Sequence, residues 1–232
     1  EFDGSGDYVT LPHNSTGISG SSAMTMEAWI KPMDKYASCS SCSGRQGIFT
    51  QWKTTPGGDN IGLMVRIVPS GQINLCTNAG SCPYNSDDAV EWDTWSHIAV
   101  VFDEGEFTFY INGSENGTAT APATSIGTDS TRSSIGIGQY PGLNHYMGSI
   151  ADVRIWTEAR SADDISNNMY ATLDDSEENL VGLWLLNEGG GIVATDSSTT
   201  GADGSVVGSS GVTPPWRDEC FADGGLETVL TC

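Results

Sequence analysis

Several short stretches of this chain alternate between apolar and polar residues, and this alternation limits the possible folds more than any other feature. In 24–31, every second residue from Met24 to Ile30 is apolar. Period two indicates a β-strand that buries one of its two faces. Comparable strands are predicted at 46–52, 60–68, 72–76, 95–102, 106–111, 133–138 and 147–156. Turn sequences such as Asn112-Gly113 separate them, so the pattern predicts an all-β sandwich or jelly roll.

One segment, 162–170, departs from period two and predicts a short helix. Ser161 is a candidate N-cap, and Asp164 follows three residues later, as in a capping box. Ile165 and Met169 are four residues apart and would share one face of the helix. We expect this face to pack on the sandwich.

The charge of the chain restricts its partners. The 232 residues include 30 Asp and Glu but 9 Lys and Arg, which gives a formal net charge of −21. Such a surface repels nucleic acid and anionic membranes, and it suits a protein that meets cations such as calcium. No apolar run approaches the roughly 18 residues of a membrane span. We therefore expect neither nucleic-acid binding nor membrane insertion.

Six cysteines, an even number, lie in loop-like contexts: Cys39, Cys42, Cys76, Cys82, Cys220 and Cys232. In an acidic β-rich chain they predict disulfides and an extracellular, secreted or cell-surface location. Cys220 and Cys232 bracket the tail 213–232 and are predicted to pair, whereas the other pairings stay open. The CxxC spacing of Cys39 and Cys42 also occurs in redox and zinc sites, which we consider the less favoured interpretation.

Three Asn-x-Ser/Thr sequons lie in turn-like stretches, where glycosylation requires the asparagine to be. Their acceptor residues are Asn14, Asn112 and Asn116. The last two belong to one predicted hairpin tip. The sequence therefore predicts a glycoprotein if the protein passes through a glycosylating compartment.

A series of motifs follows in a characteristic order along the first 170 residues or so. They are Phe2-Asp-Gly-Ser-Gly-Asp-Tyr-Val, Met26-Glu-Ala-Trp-Ile-Lys-Pro, Trp95-Ser-His-Ile-Ala-Val-Val-Phe-Asp, Phe109-Tyr-Ile-Asn-Gly and Gly148-Ser-Ile-Ala-Asp-Val-Arg-Ile-Trp. This series resembles the LamG-like, concanavalin A-like family, close to pentraxin-type domains. The resemblance implies a concanavalin A-like jelly-roll sandwich with one short helix, spanning residues 1–212. It implies little about function, because this fold serves lectins, adhesins, enzyme accessory modules and structural repeats.

The segment 180–208 is displaced relative to that family, in which a similar segment often precedes the Phe2 motif. Either it folds back onto its own domain, or it fills the equivalent place in a neighbouring molecule. The second arrangement would build a head-to-tail chain of subunits. Period two does not identify the partner strand, so both arrangements stay open.

The resemblance also implies a structural calcium ion where the N-terminal strand meets the strand of Asp152. The matching side chains are Asp3 and Asp152, helped by backbone carbonyls. The alternative is that Asp152 pairs with Arg154.

Catalytic groups are not indicated. Polysaccharide-cleaving relatives carry Glu-x-Asp-x-x-Glu on one strand, whereas here Glu91 and Asp93 are followed by Ser96. Sugar binding would need loop aromatics beside polar groups, for which Tyr84, Tyr140, His145 and Tyr146 are candidates. We therefore expect a non-enzymatic extracellular structural or interaction protein, in a surface assembly, filament or adhesion module, with copies of itself or neighbouring LamG-like subunits as partners. The alternative is a calcium-dependent carbohydrate-binding module with a glycan as partner.

Overall fold

The computed structural model describes residues 1–13, 15–34, 44–54, 60–77, 82–121, 123–127, 132–137 and 144–208. These residues form fifteen strands and one helix. The elements are β1 (Phe2–Asp3), β2 (Tyr8–Leu11), β3 (Ala23–Pro32), β4 (Gln46–Thr54), β5 (Asn60–Ile67), β6 (Gln72–Cys76), β7 (Tyr84–Ala89), β8 (Ser96–Asp103), β9 (Glu106–Ile111), β10 (Ser114–Thr120), β11 (Arg132–Ile135), β12 (Met147–Trp156), α1 (Ala162–Asn168), β13 (Leu180–Trp184), β14 (Val193–Ala194) and β15 (Gly204–Val207).

The strands form two antiparallel sheets packed face to face. The seven-stranded sheet has the order β1-β12-β3-β8-β9-β10, with β13 also paired to β12. The eight-stranded sheet has the order β14-β15-β2-β11-β4-β5-β6-β7. Their inner faces share one hydrophobic core, to which β3 contributes Met24, Met26, Ala28 and Ile30. The predicted all-β sandwich is thereby confirmed.

The helix lies on the outer face of the seven-stranded sheet. The Ser161 side chain accepts a hydrogen bond from the Asp164 amide, which satisfies one of the free amides at the helix N-terminus. Ile165 is fully buried and packs with Ala99 of β8 and Tyr110 of β9. Because the helix covers this face, both faces of β3 are buried.

The segment 180–208 pairs with strands of its own chain. β13 runs antiparallel to β12, and β15 runs antiparallel to β2. β14 completes the edge of the eight-stranded sheet as a hairpin with β15. Donation of this segment to a neighbouring molecule would require both sets of pairings to open.

Close packing fixes this segment in place. Trp184 is fully buried, and its Nε1 donates a hydrogen bond to the Ala202 carbonyl (3.2 Å). The Asp196 carboxylate accepts hydrogen bonds from the amides of Leu183 (2.9 Å) and Ala202 (2.7 Å), so it holds β13 and the residues before β15 together. A Cβ at Gly204 would lie 2.5 Å from Val9 of β2, so only glycine lets β15 approach this closely.

No helix in the described residues is long and apolar enough to cross a membrane.

Trp184→Ala should strongly destabilise the fold, because it removes a fully buried indole that joins the C-terminal segment to the core. We expect a loss of about 3–5 kcal/mol in the free energy of unfolding, measured by denaturant titration. Ile192→Ala is the matched control, since Ile192 is 67% exposed. A loss of below about 1 kcal/mol for Trp184→Ala would mean that the segment 180–208 does not complete this sandwich.

Candidate functional site

The two outer faces of the sandwich differ in how their charges are used. On the seven-stranded sheet, the Glu27 side chain is fully buried among three cationic or potentially cationic groups. Its carboxylate lies 3.3 Å from His97 Nε2, 3.5 Å from Arg160 Nη1 and 3.9 Å from Arg154 Nη1. The Arg160 guanidinium stacks 3.9 Å from the centre of the Trp156 ring. This cluster lies beneath α1 and the residues that follow it.

All three guanidinium nitrogens of Arg154 have hydrogen-bond partners within this internal network. Its guanidinium pairs with Asp152 and donates hydrogen bonds to the carbonyls of Asn168 (2.9 Å) and Ala171 (2.8 Å). Burial lowers the pKa of Arg154, but the charges of Asp152 and Glu27 raise it by more. Burial likewise raises the pKa of Glu27, but contact with His97 and the charges of Arg154 and Arg160 bring it below its ordinary value. The carboxylates of Glu27 and Asp152 balance the charges of Arg154 and Arg160 within the fold.

The structure places the two predicted calcium ligands apart. Asp3 pairs with Met147 at one end of β12, and Asp152 lies five residues further along that strand, or about 16 Å away. The carboxylate of Asp3 accepts hydrogen bonds from Ser5 and Gly6, whereas that of Asp152 binds Arg154. This register does not bring the two side chains together, and calcium binding stays a prediction. No group of three or more His, Cys, Asp or Glu in the described ranges lies close enough to hold a metal ion.

Three of the four predicted sugar-binding aromatics lie in the described residues, and none is an open loop aromatic. Tyr146 is fully buried, donates a hydrogen bond to the Ser149 carbonyl and packs edge-on against Phe2. Tyr84 begins β7 and packs against Phe107 of the core. His145 is 4% exposed. Tyr146 is closed to sugar because its ring is fully buried, whereas stacking by the half-buried Tyr84 stays a prediction. Tyr140 lies outside the described residues.

Cys76 and Cys82 form a disulfide that links the end of β6 to the residue two positions before β7. The predicted Cys220–Cys232 pair, together with Cys39 and Cys42, lies outside the described residues.

The two sequons of the β9–β10 hairpin differ in how their side-chain amides are used. Asn112 accepts a hydrogen bond from the His97 amide, and its side chain is exposed. Asn116 accepts from the Asp88 amide and donates its own amide nitrogen to the Asp88 carboxylate (3.1 Å). Glycosylation at Asn112 stays a prediction that this geometry permits, whereas glycosylation at Asn116 would have to break the bond to Asp88. Asn14 is outside the described residues.

Glu91 and Asp93 lie in the connection between β7 and β8. Asp93 pairs with Lys31 at 3.6 Å, and 76% of its side chain is exposed. Glu91 is exposed as well.

The outer face of the eight-stranded sheet carries a polar row that sequence analysis missed. Leu63 and Val65 of β5 point into the core, so Met64 and Arg66 point outward. Arg66 lies opposite Asn74 of β6, which in turn lies opposite Asn85 of β7. Arg66 Nε donates to Asn74 Oδ1 (2.8 Å), and Asn74 Nδ2 donates to Asn85 Oδ1 (2.8 Å). An apolar cluster of Trp52, Met64, Cys76 and Cys82 adjoins this row.

Arg66 differs from Arg154 in its electrostatic surroundings. It is 8% exposed, and among the described residues no carboxylate pairs with it. Burial, and then the positive charge of Arg45, lower the pKa of Arg66 to about 10. Arg45 itself is exposed and precedes Gly47, the residue that pairs with Arg66 on β4.

An aromatic side chain lies on the same outer face. Val9 and Leu11 of β2 point into the core, so Tyr8 points outward, where its half-buried ring lies 6.1 Å from that of His145. Three strand spacings separate β2 from β5, which places Tyr8 about 14 Å from Arg66. We call Tyr8, Arg45, Arg66, Asn74 and Asn85 the polar face.

One sequence signal could have pointed to this face. Arg66 is a basic residue within the apolar strand sequence Leu63-Met-Val-Arg-Ile67, in a chain that has few basic residues. Alternation alone places it outward, but its burial comes from the tertiary structure. The sequence of β7 gave no such signal, because it is polar and does not alternate with apolar residues.

These sheets, their shared core and their order define a concanavalin A-like sandwich. A family model described as the concanavalin A-like lectin/glucanase superfamily matches residues 3–166. The chain therefore belongs to this superfamily, as the sequence motifs predicted. No curated protein matches the chain in a sequence search.

Solved structures share this fold at low sequence identity. A proposed carbohydrate-binding protein from Bacteroides ovatus superposes with a TM-score of 0.64 and 18% identity over 93% of this chain, which spans 62% of that protein. The sialidase carbohydrate-binding module CBM40 of Ruminococcus gnavus, solved with α2,3-sialyllactose, superposes with a TM-score of 0.53 and 15% sequence identity. The match covers 66% of this chain and 84% of that module. A heptameric SAP-like pentraxin from Limulus polyphemus superposes with a TM-score of 0.51 and 21% sequence identity. The match covers 71% of this chain and 78% of that protein.

Glu27→Gln should destabilise the protein by about 3–5 kcal/mol at pH 7, because it leaves Arg154 and Arg160 buried without their shared carboxylate. The folded-state pKa of Glu27 is lowered, so its contribution is present above its ordinary pKa of 4.5 and is lost as pH falls through the lowered value. The stability difference between wild type and Glu27→Gln should therefore shrink in acid. Denaturant titrations from pH 7 to pH 3 measure this, with the exposed Glu106→Gln as control. A difference that stays constant with pH would contradict the ionised state of Glu27.

Proposed function

We propose that this chain is a non-catalytic carbohydrate-binding module that works outside the cell. The observation that carries the proposal is the polar face. It presents guanidinium and amide groups that the fold does not fully use, on the one outer sheet face without a helix among the described residues. Solved carbohydrate-binding proteins share this sandwich fold, which supports the proposal. At these sequence identities, the fold is what the likeness shows.

The polar face has the two kinds of group that sugar recognition needs. Sugar hydroxyls require donors and acceptors in fixed positions, and sugar rings require an apolar surface. Asn85 is exposed and held by Asn74, so its amide is both accessible and oriented. Tyr8 offers a half-buried ring about 14 Å from Arg66, a span that fits a short oligosaccharide rather than a single sugar.

A binding role fits these groups better than catalysis. Glycoside hydrolysis generally uses two carboxyl groups that flank the scissile bond. The polar face contributes amides, guanidinium groups and a phenol, and the acidic pair suggested by the sequence is separate from it. Asp93 forms an ion pair with Lys31 of β3, a strand of the opposite sheet.

The Cys76–Cys82 disulfide supports an oxidising, extracellular environment for this module. Calcium is part of the proposal only as a variable to be tested, because its predicted ligands do not converge. The binding assays below are therefore run with calcium and with a chelator.

A glycan array screened with the purified chain tests the function, and titration calorimetry then measures the affinity of each hit. Tyr8→Ala and Asn85→Ala should each weaken binding by roughly fivefold or more, the effect of losing about 1 kcal/mol. Asp163→Ala, on the exposed side of α1, is the control and should bind normally. Absence of binding with and without calcium would contradict the proposed function, and release of shorter sugars would contradict its non-catalytic character.

A further inference from the structure

The two buried arginines of this structure have opposite surroundings. Arg154 is 1% exposed and has a carboxylate partner, a second carboxylate nearby and two carbonyl acceptors. Arg66 is 8% exposed, and its single hydrogen bond, from Nε to Asn74, is to a neutral amide. No described carboxylate pairs with it, and the positive charge of Arg45 lowers its pKa further.

The terminal nitrogens of Arg66 are not fully enclosed, but burial of the rest of the side chain still penalises the charge, because no ion pair offsets the desolvation. The shortage of a partner is unexpected in this chain, where Asp and Glu outnumber Lys and Arg 30 to 9. A charge retained at such a cost is a candidate for a site whose counter-charge comes from a ligand.

We propose that Arg66, assisted by Arg45, binds an anionic group of the glycan, a carboxylate or a sulfate. This inference rests on the proposed function and names the substrate class of the same face. It predicts that the module recognises acidic sugars and discriminates against their neutral counterparts.

The hydrogen bonds around Asn74 orient the guanidinium for this role. Asn74 Nδ2 lies within 3.0 Å of three acceptors, the carbonyls of Cys82 and Tyr84 and Asn85 Oδ1, which share its two hydrogens. These contacts fix the amide so that its Oδ1 faces Arg66. Arg66 Nε is thereby held, and neither terminal nitrogen, Nη1 or Nη2, has a hydrogen-bond partner in the described structure. A planar guanidinium fixed at one nitrogen still offers its two terminal nitrogens to a planar carboxylate or a sulfate.

The net charge of the protein sharpens the selectivity. A surface of −21 repels long polyanions, so general attraction cannot account for anion binding. We therefore expect short or singly charged acidic oligosaccharides to bind better than densely charged polymers, for which repulsion outweighs one local contact.

Titration calorimetry on three matched pairs tests the proposal. The pairs are 3′-sialyllactose with lactose, trigalacturonate with its methyl ester, and 3′-sulfolactose with lactose, so the arms separate carboxylate from sulfate. The proteins are the wild-type chain, Arg66→Gln, Arg66→Lys and the control Lys31→Gln, which removes a cation next to the other sheet. Thermal unfolding of each variant is measured in parallel.

We expect at least one acidic sugar to bind about tenfold or more tightly than its neutral partner, as for a charge-assisted hydrogen-bond pair. Arg66→Gln should abolish that preference, Arg66→Lys should restore part of it, and Lys31→Gln should leave it intact. The unfolding midpoint of Arg66→Gln should equal or exceed that of wild type, because an unbalanced buried charge is removed.

Three outcomes would overturn the inference. Equal affinity for acidic and neutral sugars would reject it while the proposed function stands. A lower unfolding midpoint for Arg66→Gln, with the acidic preference unchanged, would make Arg66 a structural residue only. Absence of binding to every sugar, together with a negative glycan array, would reject the proposed function along with it.

Discussion

The cross-strand pair of Glu27 and Arg154 joins the parts of this structure that are far apart in sequence. β3 and β12 pair so that these two residues lie opposite each other. A register shift between Ala151 and Arg154, with Asp152 at a positive φ of 49°, interrupts this pairing just before Arg154. Arg154 then reaches the carbonyl of Asn168 at the end of α1 as well as Glu27. The Trp29 indole of β3 adds a hydrogen bond to the Met169 carbonyl, so β3 and β12 both hold the end of the helix.

The same physics gives the opposite result on the other side of the sandwich. Burial penalises a charge wherever it occurs, and the seven-stranded sheet balances its charges with its own residues. The eight-stranded sheet leaves Arg66 with an amide partner alone. The two sheets therefore differ in how they treat buried charge, and the proposed recognition site lies on the sheet that leaves its arginine without a counter-charge. This division explains why an overall acidic protein is proposed to bind acidic sugars at one point.

The sequence predicted the fold well, because strands with one buried face carry a clear period-two pattern. β3, β8 and β12 are of this kind, and the Ser161 cap marked the helix. It predicted the strands β7 and β10 poorly, because their residues are polar and largely exposed, and no apolar alternation results. The site was harder still. Tyr146 resembled a loop aromatic but is buried by long-range packing, and Asp3 and Asp152 were matched by motif although strand register separates them. Arg66 was identified as a site residue because it is buried and has no carboxylate partner, and neither property can be predicted from a local sequence pattern.

The pairing of β13 and β15 has a consequence for how the chain folds. β2 lies between β11 and β15, and β12 has β13 along part of one edge, so residues near the start of the chain are completed by residues near 204–207. Until the last strands emerge from the ribosome, β2 and β12 have open edges with unpaired amides and carbonyls. Most of the sandwich must therefore be made before it can close, which favours slow folding and a period in which the nascent chain is vulnerable to aggregation.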